Sequence, residues 1–150
     1  MARAVTQSKW HLRGSGGRRG ACLLWGSFTL GAAGALSVAD GFLPITTTAG
    51  TFGVIKTATR TGRYSLFFDR KYRTMRVLSL TLQGPADAAI TTGTANAAFA
   101  RNLPARGKAA QSFDIQLAIA LNAGGTTDTD GMTGLVVTYT VAVEEYGGPS

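Results

Sequence analysis

Phe113-Asp114-Ile115-Gln116-Leu117-Ala118-Ile119-Ala120-Leu121 alternates large apolar residues with small or polar ones along its whole length. Successive side chains of a strand point to opposite faces, so this period of two places Phe113, Ile115, Leu117, Ile119 and Leu121 together on a buried face. The pattern returns over 135–144, where Leu135, Val137, Tyr139, Val141 and Val143 share a side. Between the two runs, residues 122–134 are rich in Gly, Thr and Asp and carry no helical signal. Two long strands joined by such a loop are expected to pair antiparallel, with Ile115, Leu117, Ile119, Val137, Tyr139 and Val141 at the centre of the core.

Reading outward from this pair, the rest of the C-terminal two thirds is also strand-like. Phe52 to Ala58 is a short β-branched run, and Thr61-Gly62 marks a turn. Tyr64, Leu66 and Phe68 alternate with Arg63, Ser65 and Phe67. Residues 69–73 read as a charged connection. Leu78, Leu80 and Leu82 then share a face opposite Val77, Ser79 and Thr81, until Gly84-Pro85 ends the strand. Ile90 to Thr94 is a further short strand, and residues 95–112 read as a basic loop. Threonines and a glycine interrupt the alanine-rich stretch 86–100, which argues against a helix there. Six or seven strands with Gly- and Thr-rich turns predict an all-β, antiparallel sandwich, jelly roll or barrel with an extended N-terminal arm.

Charge is unevenly distributed. Of the 150 residues only 15% are charged, and the net charge is +7. Residues 1–39 hold no Asp or Glu, whereas 109–150 hold no Lys or Arg. All 15 basic residues and three acidic ones fall in 1–108, giving +12, and five acids give −5 in the remainder. Such polarity favours head-to-tail contacts between copies or an acidic partner for the N-terminal part. Met1 to Gly20 carries Gly14, Gly16, Gly17 and Gly20 among basic residues, with few apolar groups to offset the entropy of ordering. The expected organisation is a basic arm over 1–50 and a β-rich body over 51–150. Both tryptophans, Trp10 and Trp25, lie in the arm, and buried aromatics are common interface anchors. The run 18–39, opening on Arg18-Arg19 and closing on Ser37-Val38-Ala39, has the parts of an export signal. Gly26, Ser27, Thr29, Gly31 and Gly34 break its apolar character, so neither a leader nor a membrane span is the expected reading.

Nothing in the pattern assembles a catalytic centre. His11, the one histidine, sits in the arm far from any acid, and Cys22, the one cysteine, has no base beside it. Asp128-Thr129-Asp130-Gly131 resembles part of a calcium loop. Placing those aspartates at its third and fifth positions puts Val137 at the twelfth, where a bidentate carboxylate is needed. Glu144 and Glu145 are adjacent on a strand and point to opposite faces. Gly14-Ser15-Gly16-Gly17 lacks the lysine and the strand-to-helix turn of a phosphate loop. Arg60, Arg63, Arg70, Lys71, Arg73 and Arg76 surround Tyr64, Phe67, Phe68 and Tyr72, an interleaving that suits single-stranded nucleic acid. Strand phase puts Tyr64 and Phe68 on the apolar side, which favours an ordinary charged loop beside core strands. The expectation is a non-enzymatic protein with no cofactor and no metal.

Thr61-Gly62-Arg63-Tyr64-Ser65-Leu66, then Asp69 and Tyr72, then a leucine strand, resembles a segment of small tailed-bacteriophage virion proteins. The ending from Phe113 to Leu121, a Gly/Asp loop and Gly134 to Val141 resembles the same group, so the likeness spans about residues 50–145. Within that group the chain is most similar to head decoration, or cement, proteins. The resemblance implies a structural subunit on the capsid surface of a virion assembled in the host cytoplasm. It would bind the major capsid protein across subunit junctions and self-associate as a homo-oligomer, typically a trimer. The arm would then anchor through Trp10, Leu12, Leu23, Leu24 and Trp25, with Arg13, Arg18 and Arg19 beside them. Three other roles stay open: a tail, fibre or baseplate subunit, a basic nucleic-acid-binding protein, and an exported cell-surface or adhesin subunit. Because a bound ion stabilises in proportion to the logarithm of its concentration, chelator is expected to leave the melting temperature unchanged. Calorimetry with and without EDTA checks this, and a clear fall would point to a metal.

Overall fold

Alternating apolar residues become strands in nearly every segment that the computed structural model describes, namely residues 9–11, 21–58, 60–83, 95–104, 109–120, 126–128 and 134–145. The strands are β1 (Lys9–His11), β2 (Ala21–Leu30), β3 (Leu36–Gly41), β4 (Gly53–Lys56), β5 (Arg63–Gln83), β6 (Ala95–Arg101), β7 (Ala110–Ala120), β8 (Thr126–Asp128) and β9 (Val136–Glu145). A single 3-10 turn, Ala32–Gly34, joins β2 to β3. The strands run in the order β1-β2-β9-β5-β7-β6, with β3 on β2, β4 on β5 and β8 on β7. Every strand pairing is antiparallel, and the order does not return on itself among the described residues. The fold is all-β and consistent with the sandwich among the expected architectures.

Strand β5 belongs to two layers. Its first half, Arg63–Phe67, lies between β4 and β7, and its second half, Tyr72–Gln83, runs along β9. Its 21 residues would reach about 70 Å if straight, whereas a domain of this size has a radius of gyration near 15 Å. It has to bend, and three register shifts mark where: Phe67/Tyr72 against β7, and Tyr72/Thr74 and Val77/Ser79 against β9. Residues 69–73, expected to be a connection, are therefore continuous strand at the corner. Each shift against β9 adds one residue to β5, the signature of a β-bulge. The buried phase changes accordingly: Tyr64, Leu66, Phe68 and Tyr72 point inward, then Met75 and Val77, then Leu80 and Leu82. This corrects the expectation that Leu78 shares the face of Leu80 and Leu82. Leu78 is 58% exposed, and Val77 packs inward in its place.

Between the layers lies one core. Phe28 of β2 meets Tyr64 of β5 with ring centroids 5.3 Å apart, and Phe68 stacks on Phe42 and Phe113 at 5.9 Å each. Ile115, Leu117, Val137, Tyr139 and Val141 are buried as expected, whereas the side chain of Ile119 lies outside the described residues. Strands β7 and β9, expected to pair with each other, instead pair with β5 on either side of its bend. The long β5 supplies a more extensive partner for each, which local pattern alone could not rank. Residues 95–101, expected as loop, form β6 on the free edge of β7, and the expected 122–134 loop contains β8. The expected strand over 90–94 lies outside the described residues.

The division at residue 50 is also corrected. Strand β2 lies between β9 and the pair β1 and β3, and Cys22, Leu24, Phe28, Leu30, Phe42 and Leu43 are all buried in the common core. The glycines that made this run look arm-like have structural work. Gly26 faces Gly41 across β2 and β3. A Cβ on Gly26 would meet the Tyr139 hydroxyl and approach the Asp40 carbonyl oxygen to 2.7 Å. Gly41, at φ +90°, would bring a Cβ to 2.6 Å from the Trp25 carbonyl oxygen. This close approach lets the buried Tyr139 hydroxyl accept a hydrogen bond from the Leu43 N–H at 3.1 Å. Removing residues 1–20 is expected to leave a cooperative fold, because among the described residues of that stretch β1 contributes three paired positions at the edge of the sheet. Removing 1–39 deletes β2 and most of β3 and should abolish cooperative urea unfolding; a normal transition in that truncation would overturn this assignment of the core.

Candidate interaction surface

Alternation splits β2 into two chemistries. Cys22, Leu24 and Phe28 point into the core, while Leu23, Trp25, Ser27 and Thr29 form the outward side and are half-buried by their neighbours. Register extends this side across the sheet, since directly paired residues project to the same face. Leu23 pairs with Ala142, which pairs with Arg76; Trp25 pairs with Thr140, which pairs with Ser79. Ser27 pairs with Thr138 and with Asp40, and Thr29 with Val136 and with Val38, which is 58% exposed. The result is a broad, weakly charged face of Thr, Ser and Ala carrying Leu23, Trp25 and Val38. Neighbouring strands lie about 4.8 Å apart, so β2 and β5 on either side of β9 are separated by roughly 10 Å.

A basic strip borders this face on β5. Arg70, Lys71, Arg73 and Arg76 are exposed within seven positions, and Leu78 follows. Behind them Tyr72 and Met75 are buried. The Tyr72 hydroxyl donates to Asp69 Oδ1 at 2.5 Å, while Arg70 Nε donates to Asp69 Oδ2 at 3.1 Å. Burial first, and the bond to Asp69 second, hold the Tyr72 phenol far above its ordinary range, so it stays a neutral donor. Burial likewise raises Tyr139.

Only part of the sequence-derived site comes together here. Leu23 and Trp25 share the outward face, but Leu24 is wholly buried and cannot anchor a partner. Period two explains the correction: of three consecutive residues on a strand, the middle one faces the other way. Trp10 pairs through its backbone with Leu23, and Leu12, Arg13, Arg18 and Arg19 lie outside the described residues. The basic–aromatic interleaving around 60–76 is split by the pleat, which leaves only Phe67, half-buried, on the side away from the core. Tyr64, Phe68 and Tyr72 are in the core, and Arg63 Nε is turned to Gln116 Oε1 at 3.1 Å. That buried glutamine in turn donates to the Thr61 carbonyl at 3.0 Å and fixes the turn before β5. Sequence reading missed the outward roles of Arg73 and Leu78, whose only signal is a break in apolar phase.

Among the described residues no three of His, Cys, Asp and Glu are grouped so as to hold a metal ion. No described helix is long and apolar enough to cross a membrane. Compared with protein-family models, with curated proteins and with solved structures, the chain matches none. The two faces of β2 predict distinct mutational costs. Leu24→Ala should destabilise by about 2–5 kcal/mol through lost burial and a cavity, whereas Leu23→Ser and Trp25→Ser should each stay within about 1 kcal/mol. Chemical denaturation of the three variants checks the assignment; equal losses would refute it.

Proposed function

We propose that the chain is a structural subunit of a tailed-bacteriophage virion, a head decoration protein that binds the major capsid protein across subunit junctions. Its place would be the outer surface of the capsid, and its assembled form a homo-oligomer such as a trimer. Two things support this reading: the resemblance carried by residues 61–72 and 113–141, and the outward face of β2, β9 and β5. That face is the observation that carries it. A broad sheet surface with few charges, a central tryptophan and a flanking arginine strip has the composition of a protein-binding patch, where aromatics and Arg are enriched. Many modest contacts repeated by particle symmetry give tight attachment without a deep site.

A nucleic-acid-binding role draws on the basic strip, but of the rings near it Tyr64, Phe68 and Tyr72 are buried and Phe67 is half-buried, which leaves little of the stacking platform that single strands use. A tail, fibre or baseplate subunit would use the same face on a different partner. The test is to add purified protein to heads of its own phage stripped of it and to measure bound copies by sedimentation. Wild type should rebind stoichiometrically. The double variant Leu23→Ser/Trp25→Ser, folded by circular dichroism, should lose at least about tenfold in affinity, as expected for removing a central aromatic anchor. Binding to tails alone, or to no particle at all, would overturn the decoration role.

A further inference from the structure

We infer that the segment from Arg70 to Leu78 of β5 is a docking strip for an acidic protein surface with apolar groups set among its carboxylates. The inference deepens the decoration reading, on which it rests only for the identity of the partner; the chemistry of the strip stands on its own side chains.

Charge is the first ground. Just 15% of the chain is charged, yet four of its 15 cations fall between positions 70 and 76 of one strand. Asp69, next in sequence, is already engaged at both oxygens, by Tyr72 and Arg70, and on β9 Glu145 and Glu144 stand across from Tyr72 and Thr74. Lys71, Arg73 and Arg76 make no ion pair among the described residues. Like charges so close repel one another, and the repulsion is relieved when anions approach.

Backbone geometry is the second ground. The two bulges against β9 each add one residue to β5, at Arg73 and at Leu78. Bulges commonly re-aim a side chain, and here they leave an arginine and a leucine exposed in a strand whose neighbours Tyr72, Met75 and Val77 face the core. Those inward residues fix the backbone, so the cations are carried on a rigid element and less entropy is lost when a partner docks.

The nature of the partner follows from what accompanies the charge. A phosphate backbone would satisfy the arginines but would offer nothing to Leu78, which is 58% exposed. Sequence-tolerant binding of single strands needs exposed rings, and of those beside the strip Tyr64, Phe68 and Tyr72 are buried and Phe67 is half-buried. Arginines around an exposed aliphatic group match the make-up of protein interfaces, in which Arg is enriched and the centre is apolar.

The test uses the full chain and two fluorescent probes: a peptide of about 15 residues repeating Glu-Leu-Asp, and a DNA duplex of about 15 base pairs, each titrated at about 50 and 300 mM NaCl. Wild type should bind the peptide more tightly than the duplex. Arg73→Glu/Arg76→Glu should weaken peptide binding at least about tenfold, and Leu78→Ser about threefold while leaving duplex binding within about twofold. Arg60→Glu/Arg101→Glu, a charge reversal of equal size at exposed positions off the strip, should leave peptide affinity within about twofold. Should the double reversal disturb the melting curve, Lys71→Glu alone gives the same comparison. Absent peptide binding, unchanged affinity in the β5 variants, an equal loss from Arg60→Glu/Arg101→Glu, or tighter binding of duplex than of peptide would each overturn the inference. Peptide binding through the strip without rebinding to stripped heads would instead sink the decoration role and leave the strip standing.

Discussion

Backbone hydrogen bonding at the bend of β5 is the constraint on which the other contacts depend. A strand buried between layers has to satisfy its N–H and C=O groups along its entire length, because each orphaned group costs free energy comparable to a lost hydrogen bond. Here one strand serves β4 and β7 before the bend and β9 after it. The corner is held by Tyr72, fully buried, whose hydroxyl needs an acceptor and finds it in Asp69. Tyr64, at the start of the same strand, does the equivalent across the core: its hydroxyl donates to the Gly34 carbonyl at 2.6 Å and pins the turn between β2 and β3. Both layers are thus tied to β5 by buried phenols whose ring bodies also fill the interior.

How far this could be read from the sequence depended on whether a feature is local. The period of two in 113–121 and 135–144 reports directly which residues are buried, and Ile115, Leu117, Val137, Tyr139 and Val141 are. Pairing is not local: β7 and β9 lie close in sequence and share an antiparallel sheet, yet the longer β5 stands between them. Glycine was ambiguous for a physical reason. In isolation Gly26, Gly31 and Gly34 dilute an apolar run and suggest an arm, but Gly26 is there because the Tyr139 hydroxyl leaves no room for a Cβ. That clash joins residues far apart in the chain, and no window on the sequence contains both. Bulges were hidden for a related reason, since one extra residue looks like an ordinary alternation read one place out of step.

The surface shares this logic. In β2 the same ten residues build the core with one side and the broad outward face with the other. A reading that grouped Leu23, Leu24 and Trp25 as anchors combined two populations that the pleat separates. Low overall charge, taken first as a feature of composition, becomes a feature of place: the sheet face around Trp25 is nearly neutral, and cations gather along β5 at its border. A nearly neutral face and a cationic stretch thereby adjoin on one sheet.

The bulges also bear on how such a surface can diversify. A bulged residue is extra to the ladder: Tyr72 and Thr74 pair with Glu145 and Glu144, consecutive residues of β9, as though Arg73 were not counted, and Val77 and Ser79 bracket Leu78 in the same way. Side chains at these two positions are therefore uncoupled from the parity that binds every neighbouring residue to either core or surface. A lineage could exchange them, or lose one and straighten the strand locally, without turning Met75 or Leu80 outward. Arg73 and Leu78 are thus positions where surface chemistry can change while the packing of the interior is kept.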